Sequence, residues 1–290
     1  MKTLLCLFAL VVASYGDYRD KLGMFLHNFD ELAKEHIFVE NVSNFTSPSA
    51  ALFYVRIEMP GKVFHASLRP HFALFHPDLE VHHRTDEGLK KVTIDKNEWL
   101  EGELMNEPGS RVLIHLKESV VTGTILTAEG EKHYIEPSHR HVKEPHNFHM
   151  ITYKHTDVKF NITGSDGGHF CGHESHVDEK VDANHFMFSV PPPKKDQDQG
   201  DYIHYRKRRA NDDDVKNRCG LALIGDYKFF TEVNDGQESA AVEYMIDIMQ
   251  QVDPMYQTQS MDPDGGSEWL DYGFLIQKIE VIMTQSDDDE

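Results

Sequence analysis

Four adjacent basic residues have the types and spacing that suit recognition by a protease. They are Arg206, Lys207, Arg208 and Arg209. Residues 191–200 before them are rich in proline and polar side chains, so this stretch is expected to stay extended and accessible. The acidic cleft of a subtilisin-like processing protease binds several cations on an extended peptide. Such runs also mark nuclear-localisation and nucleic-acid-binding segments.

Two cysteines lie on either side of the basic run. Cys171 precedes it and Cys219 follows it. In an oxidising compartment they could pair with each other, and the two pieces would then stay covalently joined after cleavage. Alternatively they act separately. Cys171 is then a thiol that caps a metal ion, and Cys219 is a structural cysteine that awaits a partner beyond residue 290.

The first sixteen residues have the features of a secretory signal peptide. Met1 and Lys2 precede an apolar run over residues 4–12, and the small residues that follow suggest cleavage after Gly16, with Ser14 as the alternative. The run is far shorter than the roughly 20 apolar residues of a membrane-spanning helix. We therefore expect a secreted or extracellular protein with no membrane span in this chain.

The compartment decides between the interpretations of the basic run. Secretion and a net charge of −20 both disfavour a nuclear or nucleic-acid-binding role. Three N-glycosylation sequons, at Asn41, Asn44 and Asn161, fit a secreted glycoprotein. The basic run is therefore interpreted as a processing site for a furin-type proprotein convertase that cuts after Arg209.

Histidines are concentrated before the basic run. The chain has 19 of them, enough to nearly neutralise the net charge of −20 if all were protonated. We interpret them as exposed polar residues, with a pH sensor as the alternative; no pair has the helical spacing that favours metal binding. The residues concerned are His133, His139, His141, His146, His149 and His155.

The part before the run has β character. Short runs rich in β-branched residues, bounded by Gly, Pro and Asp, predict antiparallel strands, with Glu118 and Ser119 as a tight connection between two of them. The predicted strands cover residues 51–57, 62–68, 111–116 and 120–126. Apolar residues at helical spacing also predict a helix over residues 18–36.

The part after the run has a different pattern. Residues 219–226 are continuously apolar, which predicts a strand buried on both faces. Helical spacing over residues 238–255 and a second apolar run over residues 274–282 complete a strand–helix–strand unit with parallel strands. The predicted fold class is therefore α+β, with a mostly β part over residues 17–190, a linker over residues 191–209 and an incomplete α/β domain over residues 210–290.

Several segments resemble the ADAM family of zinc metalloproteases, nearest to the branch of the tumour-necrosis-factor-α-converting enzyme (TACE). The resemblance covers roughly residues 50–285 and is most specific across the basic run. The similar segments are Arg208–Ala210, Lys216–Cys219, Gly225–Phe230 and Tyr244–Asp247, with Glu107–Leu113 and Tyr134–Pro137 before the run. The resemblance implies an inhibitory prodomain over residues 17–190 and the truncated start of a reprolysin-type metalloprotease domain over residues 210–290.

The resemblance also implies a catalytic zinc, but this sequence lacks the motif that binds it. The family binds zinc through H-E-x-x-H-x-x-G-x-x-H, which is absent here, and His173 and His176 have the wrong spacing to replace it. No catalytic residue, metal ligand or cofactor is therefore assigned to this chain, and no activity is expected of it alone. The resemblance implies that Cys171 is the cysteine switch, a thiol capping zinc in the zymogen, and that Cys219 pairs with a later cysteine.

Two functions follow as hypotheses. The chain is either a precursor fragment of a TACE-like metalloendopeptidase that sheds ectodomains, or a secreted short product that inhibits or chaperones a full-length ADAM protease. The implied partners are a furin-type convertase and, in the second case, the catalytic domain of that protease.

Overall fold

Most of the chain that the structure describes is β-sheet. This computed structural model describes residues 18–42, 51–143, 145–159, 218–258 and 272–285, with 49% strand. Two α-helices lie in these ranges: α1 at residues 18–25 and α2 at Glu238–Thr258. The strands are β1 (Asp30–Leu32), β2 (Ile37–Asn41), β3 (Phe53–Met59), β4 (Lys62–Pro70), β5 (Phe75–Thr85), β6 (Gly88–Val92), β7 (Trp99–Leu104), β8 (Arg111–Lys117), β9 (Val120–Leu126), β10 (Lys132–Pro137), β11 (Met150–Lys154), β12 (Arg218–Gly225) and β13 (Gly273–Ile282).

Nine strands form one antiparallel sheet in the order β1-β11-β10-β9-β8-β7-β4-β3-β2. Alternate residues of β3 (Val55, Ile57 and Met59) are buried, so one face of this sheet packs on a core. The turn between β8 and β9 places Glu118 and Ser119 at φ 51° and 63°. This is the left-handed geometry that a two-residue hairpin requires.

The second sheet joins segments from both sides of the basic run. Its order is β12-β13-β5-β6, in which β13 pairs in parallel with both β12 and β5, and β6 pairs with β5 in the antiparallel sense. Helix α2 packs against this sheet. Their shared core combines residues from before and after the run: Leu74, Phe75, Val81, Trp99, Phe230, Ala241, Val242, Met245, Ile246, Met249, Ile276, Ile279 and Val281.

The predicted fold class is wrong. The chain is mostly β and is dominated by the nine-stranded antiparallel sheet, which conflicts with an α+β protein that ends in a parallel-sheet α/β domain. No strands were predicted over residues 75–92. In the structure these residues form β5, which pairs with β13, and β6, which pairs with the other edge of β5. The part after the run is therefore completed by the part before it.

Two local predictions also need correction. The helix predicted over residues 18–36 stops at residue 25, because the chain then forms β1 against β11. Strand β12 is not buried on both faces: it is an edge strand of its sheet, and Ile224 is 65% exposed. The predicted limits at residues 190 and 209 lie outside the described residues and stay predictions.

Candidate functional site

A buried carboxylate lies where α2 packs against the nine-stranded sheet. Asp247, in the middle of α2, is 3% exposed. Its Oδ1 accepts a hydrogen bond from Trp99 Nε1 at 3.0 Å and lies 3.3 Å from His115 Nδ1. Its Oδ2 accepts one from Arg140 Nη2 at 2.9 Å. We call these four residues the Asp247 cluster. It joins α2, which follows the basic run, to three segments that precede it.

Local structure places the partners of Asp247. Trp99 opens β7 and faces His115 of β8 directly across the antiparallel ladder. Their rings stack at 4.4 Å between centroids with an interplanar angle of 6°, which holds the imidazole in one orientation. Arg140 ends a short 3-10 turn after β10, and its guanidinium lies 4.3 Å from the ring centroid of Tyr244 on α2. These contacts hold the cluster in place before any ligand or partner binds.

Two more carboxylates lie close to His115. Glu98 Oε2, from the turn before β7, lies 3.4 Å from His115 Nε2. Glu243, one turn before Asp247 on α2, is also within reach: one ligand atom from each of Glu98, His115 and Glu243 lies within 4.8 Å of the others. Glu243 Oε1 also accepts a hydrogen bond from Lys117 Nζ. The site thus alternates acidic and basic groups.

The electrostatics of the site favour charged side chains. Burial opposes protonation of His115, but the neighbouring carboxylates of Asp247, Glu243 and Glu98 outweigh it and raise the pKa of the imidazole. Burial likewise opposes the charge of Lys117, but the hydrogen bond to Glu243 outweighs it and raises the pKa of the ammonium group. Acidic groups of α2 are therefore neutralised by basic groups of the sheet.

Backbone groups extend the same interface. Gln250, one turn after Asp247 on α2 and 1% exposed, donates from Nε2 to the carbonyl oxygen of Leu100 at 2.9 Å. Because Leu100 belongs to β7, this bond ties a helix that follows the basic run to a strand that precedes it. Together with the shared apolar core, it makes the contact between the two parts a buried, specific interface.

The residues predicted as sites lie mostly elsewhere. Cys219, at the start of β12, is exposed and forms no disulfide within the described part of the chain. Asn41 ends β2 and is exposed. The remaining predicted residues, Cys171, Asn44, Asn161, Arg206, Lys207, Arg208 and Arg209, lie outside the described residues.

Sequence reasoning missed the Asp247 cluster. The available signal was a single acidic residue, Asp247, between the apolar residues Ile246 and Ile248 on a predicted helix. A carboxylate in such a position is buried only with a partner. Its partners lie more than a hundred residues before it in the sequence, with separations of 148 to Trp99 and 107 to Arg140.

The histidines before the basic run are less exposed than predicted. His139 is exposed, but His133 is 4% exposed and its Nε2 lies 2.9 Å from Glu131 Oε2. His141 lies 2.6 Å from Glu136. Burial, together with the nearby charges of Lys62 and Lys154, lowers the pKa of His133 despite the opposing effect of Glu131. The interpretation of these histidines as simply exposed polar residues is therefore wrong for His133.

Glu131 provides a pH-dependent contribution that can be tested. Hydrogen bonds from Lys154, His133 and Lys62 lower its pKa to about 2. A depressed carboxyl pKa stabilises the folded state above the unfolded value of about 4.5, and this stabilisation is lost as the pH falls towards 2. The Glu131→Gln variant should lose up to about 1 kcal/mol at neutral pH, since the pairs are partly exposed, and show a shallower acid decline.

Urea denaturation at several pH values between 2 and 7 measures this effect. The neighbouring exposed residue Glu129, changed to Gln, is the matched control and should retain the slope of the parent protein. Equal slopes for Glu131→Gln and the parent would contradict the prediction.

No helix in the described ranges combines the length and apolar character needed to cross a membrane.

No family model matches the chain. The chain is 21% identical over 234 residues to a curated protein of Caenorhabditis elegans, the disintegrin and metalloproteinase domain-containing protein 17 homolog. The match covers 79% of this chain and 32% of that relative, so the chain spans about a third of the relative's length. This similarity supports a distant relationship to the ADAM family.

Proposed function

We propose that this chain is the amino-terminal region of a precursor of a TACE-like zinc metalloendopeptidase that sheds ectodomains. In this proposal, residues 17–190 are an inhibitory prodomain, a furin-type convertase cuts after Arg209, and residues 210–290 begin the catalytic domain. The precursor travels through the secretory pathway. The distant similarity to a disintegrin and metalloproteinase homolog supports the class of protein. The observation that carries the proposal is the Asp247 cluster.

The Asp247 cluster suits a prodomain because, through it, residues that precede the processing site bind a helix that follows it. The carboxylate of Asp247 is satisfied by Trp99, His115 and Arg140, all of which precede the basic run. A buried carboxylate without these partners is costly, so the helix depends on the preceding part until another partner covers it. That dependence is what an intramolecular folding chaperone provides.

The residues of this chain do not fit the catalytic zinc of the family. In the described ranges, the cluster of side chains that could hold a metal ion contains one histidine and two glutamates. The family site instead uses three histidines, with a glutamate as general base. No hydrolytic step is therefore assigned to this chain.

Processing is the direct test of the proposal. Expressed in secreting cells, the chain should be cut after Arg209, and the Arg208→Ala/Arg209→Ala variant should stay intact. Lys194→Ala/Lys195→Ala removes another basic pair in the same stretch and is the matched control that should still be cut. Mass spectrometry of the secreted protein identifies the new terminus. Secretion of an uncut parent chain from convertase-positive cells would argue against the proposal.

A second candidate is a secreted, non-catalytic inhibitor or folding chaperone of a full-length ADAM protease. The pairing of β5 with β13 favours it, because the first part adds a strand to a sheet of the second. The processed 17–209 piece should then inhibit a TACE-type protease, and the absence of inhibition at high micromolar concentration would exclude this role. The Cys171→Ala variant shows whether inhibition needs the thiol.

A further inference from the structure

We propose that Glu98, His115 and Glu243 form a binding site for a divalent transition-metal ion, best suited to Zn²⁺, at the junction of α2 with the nine-stranded sheet. The site is separate from any catalytic zinc and does not depend on the proposed protease relationship. It would bind the metal through residues from both sides of the basic run, since Glu98 and His115 precede it and Glu243 follows it.

The distances suit a small tetrahedral ion. With bonds of about 2.1 Å to nitrogen and oxygen, two ligands of a tetrahedral zinc lie about 3.4 Å apart. His115 Nε2 and Glu98 Oε2 are separated by 3.4 Å. All three ligand atoms lie within 4.8 Å of one another, so small rotations of the carboxylates bring them to bonding distance.

The orientation of His115 matches that of a metal-binding imidazole. Metal-bound histidines usually donate their second ring N–H to a carboxylate, which fixes the tautomer and increases ligand basicity. Here Nδ1 lies 3.3 Å from Asp247 Oδ1, which leaves Nε2 for a metal ion beside Glu98 Oε2. Stacking on Trp99 fixes the ring plane. Asp247 is therefore a positioning residue for the ligand.

The charges around the site can accommodate a cation. Glu98, Glu243 and Asp247 provide three negative charges, and Lys117 and Arg140 provide two positive ones. Arg140 donates to Asp247 Oδ2, and Asp247 is not one of the three proposed ligands. Lys117 binds Glu243 Oε1, so Glu243 can coordinate through its other oxygen. The side chains of Glu98 and Glu243 are 27% and 19% exposed, which gives an ion access from solvent.

The donor set favours zinc over the common hard cations. Calcium needs six to eight oxygen ligands, and magnesium needs octahedral oxygen coordination. One imidazole and two carboxylates, with water at the fourth position, are ligand types that zinc accepts. Ions such as Co²⁺ should bind at the same place, so Co²⁺ serves as a spectroscopic probe.

Competition with a fluorescent zinc chelator tests the proposal on the full chain. Cys6, Cys171 and Cys219 are changed to Ser throughout, so that thiols do not contribute. The parent should bind Zn²⁺, and His115→Ala and Glu243→Gln should each weaken binding at least tenfold. Even the loss of a residue that only hydrogen-bonds to a ligand typically lowers metal affinity 10–100-fold. The exposed His139, changed to Ala, is the control and should leave the affinity unchanged.

Glu98→Gln keeps the test decisive if His115→Ala does not fold. This position is partly exposed, and the change should weaken Zn²⁺ binding while leaving the circular dichroism spectrum unchanged. Co²⁺ added to the parent should give visible absorption bands that are lost in Glu98→Gln and kept in His139→Ala. Equal Zn²⁺ affinity in the parent and Glu98→Gln, or no binding by the parent at micromolar Zn²⁺, would overturn the proposal.

Discussion

Replacing Asp247 with Ala is expected to lower the free energy of unfolding by about 3–5 kcal/mol, the cost of removing one partner from a buried ion pair. The change leaves Arg140, whose side chain is 12% exposed, without its carboxylate. It also removes the acceptor of Trp99 Nε1. Urea denaturation of the full chain measures the loss as a lower midpoint, with the m value showing whether the transition stays two-state.

An exposed aspartate supplies the control for this measurement. The side chain of Asp78, on β5, is 88% exposed, so Asp78→Ala should change the free energy of unfolding by no more than about 0.5 kcal/mol. A loss below about 1 kcal/mol for Asp247→Ala would mean that water satisfies the cluster and that the interface is not buried in solution.

Trp99→Ala should have an effect of similar size, about 3–5 kcal/mol, because it deletes a large side chain from a close-packed core. Trp99 is 1% exposed, stacks on His115 and packs edge-on against Phe75 at 5.7 Å between centroids. It therefore connects both sheets to α2. In protein cut after Arg209, the parent pieces should co-elute on size exclusion, and the Trp99→Ala pieces should separate at a lower urea concentration.

The conservative variant separates packing from hydrogen bonding. Trp99→Phe retains most of the ring contacts but removes the donor to Asp247, so it should cost about 1–3 kcal/mol. Val63→Ala, at a side chain that is 49% exposed, is the control for loss of apolar surface alone. Equal losses for Trp99→Phe and Trp99→Ala would refute a packing role for the indole.

Local patterns predicted the strands that depend on local contacts. Strands β8 and β9 were predicted, with the connection at Glu118 and Ser119, because their alternation and turn are both encoded within sixteen residues. Strands β5 and β6 were not predicted. Histidines and charged residues interrupt their sequence, and β5 pairs with the distant strand β13, as the contact between Arg84 and Glu280 across 196 residues shows. No local pattern carries that information.

The helix illustrates the same limit at the site. The helical spacing over residues 238–255 predicted the helix but not its buried surface, because Ile248 is 41% exposed whereas Ile246 and Met249 are buried. Because α2 lies between two sheets, its buried surface is wider than the single stripe that a surface helix shows. The cluster around Asp247 is assembled from residues that are separate in sequence. The roles of Cys171 and of the run ending at Arg209 stay predictions.

The pairing of β5 with β13 has a consequence for how the chain acquires its structure. During synthesis, β5 leaves the ribosome almost two hundred residues before its partner, as the separation of 196 between Arg84 and Glu280 indicates. At about 5–20 residues per second, one edge of β5 stays without a neighbour for tens of seconds. Such edges recruit strands from other molecules. The nascent protein is therefore most prone to misassembly in this interval, and chaperones that cover free strand edges should raise its yield.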